Sequence, residues 1–154
     1  MSYKNENMKM IELHENGLDI QFRIRENGVV ELADFSSQEV KKAVMEPKED
    51  ICYPAVEIHR SGTGSLNMHA YKNNINQSSV DFVYENHELK AQDGGKELEI
   101  VMISSEKLKA VYHMRLFDGV PAVQTWTEII NEGSADQGLT YVSSFMYQGI
   151  SRGG

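Results

Sequence analysis

The chain has 154 residues, 40% of them apolar, with 15 basic and 23 acidic side chains for a formal charge of −8. That length suits a single domain with one sizeable core, and it excludes a complete (β/α)8 barrel, which takes about 250 residues. The acidity is spread out, with nine basic and twelve acidic residues in 1–77 and six and eleven in 78–154, which argues against a nucleic acid or an anionic membrane as partner.

The first thirty residues hold no apolar run of signal-peptide length, and the longest apolar run anywhere, Ile100–Ile103, is far too short to span a bilayer. These features predict a soluble, cytoplasmic protein. Leu18, Ile20, Phe22 and Ile24 alternate with Asp19, Gln21 and Arg23, the period-two pattern of a half-buried strand. Asn16-Gly17 and Asn27-Gly28 flank it. Both residue types tolerate the positive φ of a type I′ hairpin turn, so segments near 8–14, 18–25 and 29–35 are predicted to form a three-stranded meander. Ser36-Ser37-Gln38-Glu39 has the spacing of a helix capping box, and Val40 and Val44 lie one turn apart before Pro47. The stretch is short and polar, so a loop is the preferred reading over a helix.

Cys52 is the single cysteine, which excludes an internal disulfide framework and fits a reducing compartment. It reads as a small apolar residue entering a strand rather than as a nucleophile. In Pro54-Ala55-Val56-Glu57-Ile58, alternation sets Glu57 opposite Val56 and Ile58, as a solvated outward carboxylate. Residues 60–78 are rich in Ser, Gly, Asn and Gln and are predicted to form a loop between the two halves, a natural place for function.

Period two resumes at Val80, Phe82 and Tyr84, and strands are predicted over Glu97–Ile103, Leu108–Phe117, Pro121–Asn131 and Leu139–Gln148. The turns between them fall at Asp93-Gly94-Gly95, Ser104-Ser105, Asp118-Gly119 and Glu132-Gly133-Ser134. Consecutive antiparallel strands build large sheets, and a lone sheet leaves an apolar face in water. The predicted fold is therefore an all-β antiparallel sandwich of two large packed sheets with little helix. Residues 1–154 read as one domain.

The common chemical motifs are missing. Gly62-Thr63-Gly64 is followed by Asn67 where a dinucleotide fingerprint needs its third glycine. No phosphate-binding loop, nucleophile elbow or His-Glu-x-x-His helix occurs. His14, His59, His69, His87 and His113 are dispersed. His59 and His69 flank the loop but read as surface or tethering histidines before they read as a metal pair. No cofactor and no metal are expected. Trp126 is the only tryptophan. It reads first as a sheet-packing residue, and as a platform for a sugar ring in the sharper reading, a role open also to Tyr53 and Tyr71.

Two regions carry a resemblance. The first is Tyr53-Pro54-Ala55-Val56-Glu57-Ile58-His59-Arg60-Ser61-Gly62, followed by His69-Ala70-Tyr71-Lys72. The second runs from Leu116-Phe117-Asp118-Gly119-Val120-Pro121 through Trp126-Thr127-Glu128-Ile129-Ile130-Asn131 to Leu139-Thr140-Tyr141-Val142-Ser143-Ser144-Phe145. Together they resemble the N-terminal β-supersandwich domain of α-galactosidases in glycoside hydrolase family 36, with order and spacing matching over about residues 18–150.

The resemblance implies a retaining α-galactosidase acting on terminal α-galactosides such as melibiose and raffinose-type sugars. Its two catalytic aspartates belong to a (β/α)8 barrel that follows the sandwich. On this reading the chain is a non-catalytic N-terminal domain of a longer enzyme and inactive by itself. It would contact its barrel, support homo-oligomer contacts and help shape the mouth of the active site. Tyr53, Arg60, His69, Lys72 and Trp126 are the candidates for sugar contact or interface. Three alternatives stand beside it: a domain of an α-N-acetylgalactosaminidase, a free-standing carbohydrate-binding module, and an aldose-epimerase-like sandwich using a His/Glu acid–base pair, a fold usually about twice this length.

Overall fold

A computed structural model describes residues 9–38, 52–62 and 77–147. The alternating segments form strands as the period predicts. β1 (Lys9–Glu15), β2 (Leu18–Ile24) and β3 (Val30–Ser37) pair in that order as an antiparallel meander. β4 (Ile58–Arg60) is followed by a four-residue helix, α1 (Gln77–Val80). β5 (Val83–Gln92), β6 (Gly95–Ile103), β7 (Leu108–Phe117) and β8 (Val120–Asn131) pair consecutively as a second antiparallel sheet. β9 (Leu139–Val142) returns to pair with β4. The fold is thus an all-β antiparallel sandwich, and the described strands form two main sheets plus a separate two-stranded ribbon.

The core lies between the main sheets because each has one apolar face. Ile11, Leu13, Ile20, Phe22 and Leu32 on one side meet Leu98, Ile100, Tyr112, Met114 and Leu116 on the other in a single buried cluster. Phe22 and Tyr112 touch edge to face, ring centroids 5.7 Å apart, a favoured arrangement for aromatic quadrupoles. The Tyr112 hydroxyl is carried into this interior. Burial raises its pKa, and a hydrogen bond from Thr125 of β8 only partly offsets that.

Turn chemistry sets the registers. Asn16 and Gly17 both have positive φ, 52° and 82°, the type I′ geometry expected. The second hairpin differs from its prediction. Among residues 25–29 only Gly28 has positive φ, and the Gly28 and Arg25 amides donate to the Arg25 and Val29 carbonyls at 2.8 and 2.9 Å. That is a three-residue loop closing on a left-handed glycine. The close approach of β5 requires it: a Cβ on Gly28 would come within 2.9 Å of the Val83 Cβ, while the Gly28 carbonyl accepts from the Tyr84 amide at 2.8 Å.

The structure also corrects several sequence expectations. Ser36 and Ser37 extend β3 where the sequence reading prefers a polar loop over a helix, and the stretch beyond Gln38 lies outside the described residues. An irregularity on β3 explains how the strand can lengthen. Gln21 pairs with Asp34 but Phe22 pairs with Leu32, so Ala33 is an extra residue that restores Phe35 to the core side. Cys52 lies in an irregular segment rather than at a strand start, and Val80 is helical. The outer face of β2 is not solvated, since Asp19 and Arg23 are 8% and 5% exposed.

Two substitutions test this packing. Phe22→Ala should cost about 3–5 kcal/mol, the range for a large aromatic removed from a closed core. Gly28→Ala should cost more than about 1 kcal/mol, because the new side chain meets both an adverse φ and Val83. Urea midpoints at unchanged slope measure both.

Candidate functional site

The structure joins the two resembling regions in the β4–β9 ribbon. Ile58 pairs with Val142 and His59 with Tyr141, and the Ser143 amide extends the pairing by donating to the Glu57 carbonyl at 2.8 Å. Alternation places Glu57 and His59 on one face, where His59 Nε2 lies 2.7 Å from Glu57 Oε1 and the imidazole packs on the Tyr141 ring at 5.1 Å. Glu57 is therefore not the solvated carboxylate that alternation suggested: its side chain is 15% exposed and paired. The loop region at its far end contains α1, whose Ser78 and Ser79 hydroxyls donate to the Ile58 carbonyl at 2.5 and 3.0 Å.

Arg60 closes this ribbon. Its guanidinium reaches Asp81 Oδ2 at 3.1 Å and Glu106 Oε2 at 2.8 Å, tying β4 to the residue after α1 and to the β6–β7 turn. Both terminal nitrogens face protein carboxylates, so Arg60 acts as a structural clamp in this arrangement. His69 and Lys72 lie outside the described residues.

Trp126 sits in a different place. It is half-buried on the outer face of the four-stranded sheet, directly opposite His113 in the β7–β8 register. The two rings stack at 4.7 Å with 6° between their planes. His113 is 6% exposed. Its Nδ1 is 2.9 Å from Glu97 Oε1 and 3.9 Å from Glu99 Oε1, and its Nε2 is 3.6 Å from Glu128 Oε2. The far oxygens of the two β6 carboxylates are held in turn: Lys90 Nζ lies 2.5 Å from Glu99 Oε2, and Gln92 Nε2 donates to Glu97 Oε2 at 3.0 Å. One ligand atom each from Glu97, Glu99 and His113 fall within 4.8 Å of one another.

Tyr53 is on the opposite side of the sandwich. Its amide donates to Glu31 Oε1 at 2.9 Å, on the outer face of the three-stranded sheet, where Glu31 also meets Arg23 at 3.5 Å and Arg25 at 3.2 Å. The structure thus separates Tyr53, Arg60 and Trp126 into three surroundings. Sequence reading overlooked the His113 cluster because its members come from three strands. The signal was present: a turn at Ser104–Lys107 sets Glu99 opposite His113, and a turn at Asp118-Gly119 brings Trp126 alongside.

Compared with known proteins, the chain matches no protein-family model and no curated protein sequence. Among the described residues no helix is long and apolar enough to cross a membrane.

The thiol of Cys52 belongs to the Tyr53 side. Burial, reinforced by the Glu31 charge, pushes its pKa from 9.0 up to about 12. A raised pKa lowers the thiolate fraction at every pH below it, and the thiolate is the reactive form. Native protein at pH 8 should therefore react with a disulfide reagent at least about a hundred times more slowly than the urea-unfolded chain. Equal rates in the two states would show an open, ordinary thiol.

Proposed function

We propose that this chain is the N-terminal sandwich domain of a family 36 α-galactosidase, working in the cytoplasm and contributing no catalytic residue of its own. One observation carries the reading. The segments that bear the resemblance, separated by some eighty residues of sequence, pair as the β4–β9 ribbon, and large apolar side chains stand exposed on β9 and just after it. Leu139, Tyr141 and Phe145 are 40%, 49% and 41% exposed, large apolar side chains of the kind a covering partner would bury. The partner on this reading is the enzyme's own barrel, with homo-oligomer contacts beside it and α-galactosides handled by the barrel. Tyr147, further along the chain, packs partly against the core beside Phe35, 6.5 Å between ring centroids.

The coding sequence after Gly154 tests the proposal directly. A (β/α)8 barrel bearing two aspartates at its strand ends is the expected result, and a stop codon overturns it. Purified chain should also leave a nitrophenyl α-galactoside unhydrolysed, whereas turnover abolished by Glu57→Gln would assign chemistry to the sandwich itself. With the barrel present, Tyr141→Ala should weaken domain association by about 1–2 kcal/mol while leaving the sandwich folded, as truncation of an aromatic anchor does. Calorimetric titration of the two separately expressed domains measures that difference.

A second reading rests on Trp126. A half-buried indole backed by His113 presents one face in the manner of a sugar platform, as a carbohydrate-binding module requires. Saturable quenching of Trp126 emission by raffinose, lost in Trp126→Ala as judged by calorimetry, would favour it over the accessory-domain reading.

A further inference from the structure

We propose that the outer face of the four-stranded sheet binds one divalent transition-metal ion of the zinc class through Glu97, Glu99 and His113, with Glu128 orienting the imidazole from behind.

Glu97 and Glu99 are two apart on β6 and so share a face, and the β6–β7 register sets His113 opposite Glu99. Two carboxylates and an imidazole form a donor set suited to zinc and its neighbours, with room for a water or small anion at a further position. The nearer oxygens of both carboxylates already converge on His113 Nδ1, at 2.9 and 3.9 Å. Their far oxygens are held by Gln92 and Lys90, the kind of outer support that fixes ligand orientation at metal centres. Glu97 and His113 are 7% and 6% exposed, so water competes weakly for them.

The far side of the imidazole adds to this. His113 Nε2 is buried and makes no hydrogen bond, though Glu128 Oε2 stands 3.6 Å away. In either neutral tautomer one ring nitrogen turns a bare lone pair toward a carboxylate, Nε2 toward Glu128 or Nδ1 toward Glu97, which is unfavourable in a buried site. A cation taking Nδ1 moves the proton to Nε2, where Glu128 accepts it. This completes the carboxylate–histidine–metal relay common at such centres. Charge agrees as well: Glu97, Glu99 and Glu128 with Lys90 sum to two negative charges, which a divalent ion neutralises. The Trp126 ring stacked on His113 restrains the imidazole and supplies an optical reporter.

The test uses the full chain freed of metal with a chelator and titrated with zinc chloride by calorimetry and Trp126 fluorescence. One ion per chain, with saturable heat and a matching change in emission, is expected. Glu128→Gln should weaken the affinity about 10–100-fold, the usual effect of losing an orienting partner. Glu99→Gln, which removes a ligand from a partly exposed side chain and so leaves the fold intact, should weaken it at least as much. His59→Gln should leave it unchanged, which separates this site from the Glu57–His59 pair. Magnesium chloride, whose ion prefers an octahedral all-oxygen shell, should bind more weakly than zinc. Absence of saturable zinc binding, or zinc binding indifferent to both Glu99→Gln and Glu128→Gln, overturns the proposal and leaves the cluster an ion-pair network only.

Discussion

The constraint on which the rest depends is that two antiparallel sheets must each bury one apolar face, and each does so against the other. Phe22 and Tyr112 stand where the sheets meet, and the whole buried cluster is built around that contact. Peripheral ties then fix the relative position of the sheets: Asn16 Oδ1 accepts from the Gly119 amide at 2.9 Å, Lys9 donates to the Tyr84 hydroxyl at 2.8 Å, and Lys96 pairs with Glu15. None of these exposed or half-exposed contacts is worth much singly. They act on geometry that the core has already established.

The outer faces carry the chain's buried charge. On one side Glu31 gathers Arg23, Arg25 and the Tyr53 amide. On the other His113 is enclosed by Glu97, Glu99 and Glu128. Replacing such groups by apolar ones often stabilises a fold, because desolvation can exceed the attraction gained. A charge cluster placed outside the core is therefore weak support for stability. It is a better starting point for binding chemistry, and the two clusters differ in this respect. Glu31 is met by two guanidiniums, whereas the His113 cluster has an excess of carboxylate and an imidazole nitrogen that makes no hydrogen bond.

The ribbon of β4 and β9 has a third character. Its inner residue, Ile58, is fully buried, its end is clamped by Arg60, and its outer surface carries Tyr141 beside the Glu57–His59 pair. A strongly anchored element with an exposed aromatic side chain is a sound base for a second domain. This is the physical content of the accessory-domain proposal, and it is separate from the metal chemistry proposed for the opposite side of β8.

Local pattern was enough for much of the fold. The alternation of Leu108, Ala110, Tyr112, Met114 and Leu116 placed them together on the core face, and Asn16-Gly17 specified its turn through two positive φ angles. These follow from the sequence because strand period and turn geometry depend on neighbours in the chain. What only the tertiary structure decided depends on the other strands and segments against which each residue packs. The extra residue at Ala33 carried β3 on to Ser37 in place of a loop. Gly28 adopted a longer loop because β5 passes close to it. Glu57 found His59 in a half-buried ribbon, and Glu97, Glu99, His113, Trp126 and Glu128 came together across three strands. Composition and period report which face a side chain takes. Which partners it meets there is decided by strand register and sheet packing, and the chemistry of the candidate sites is made of those partners.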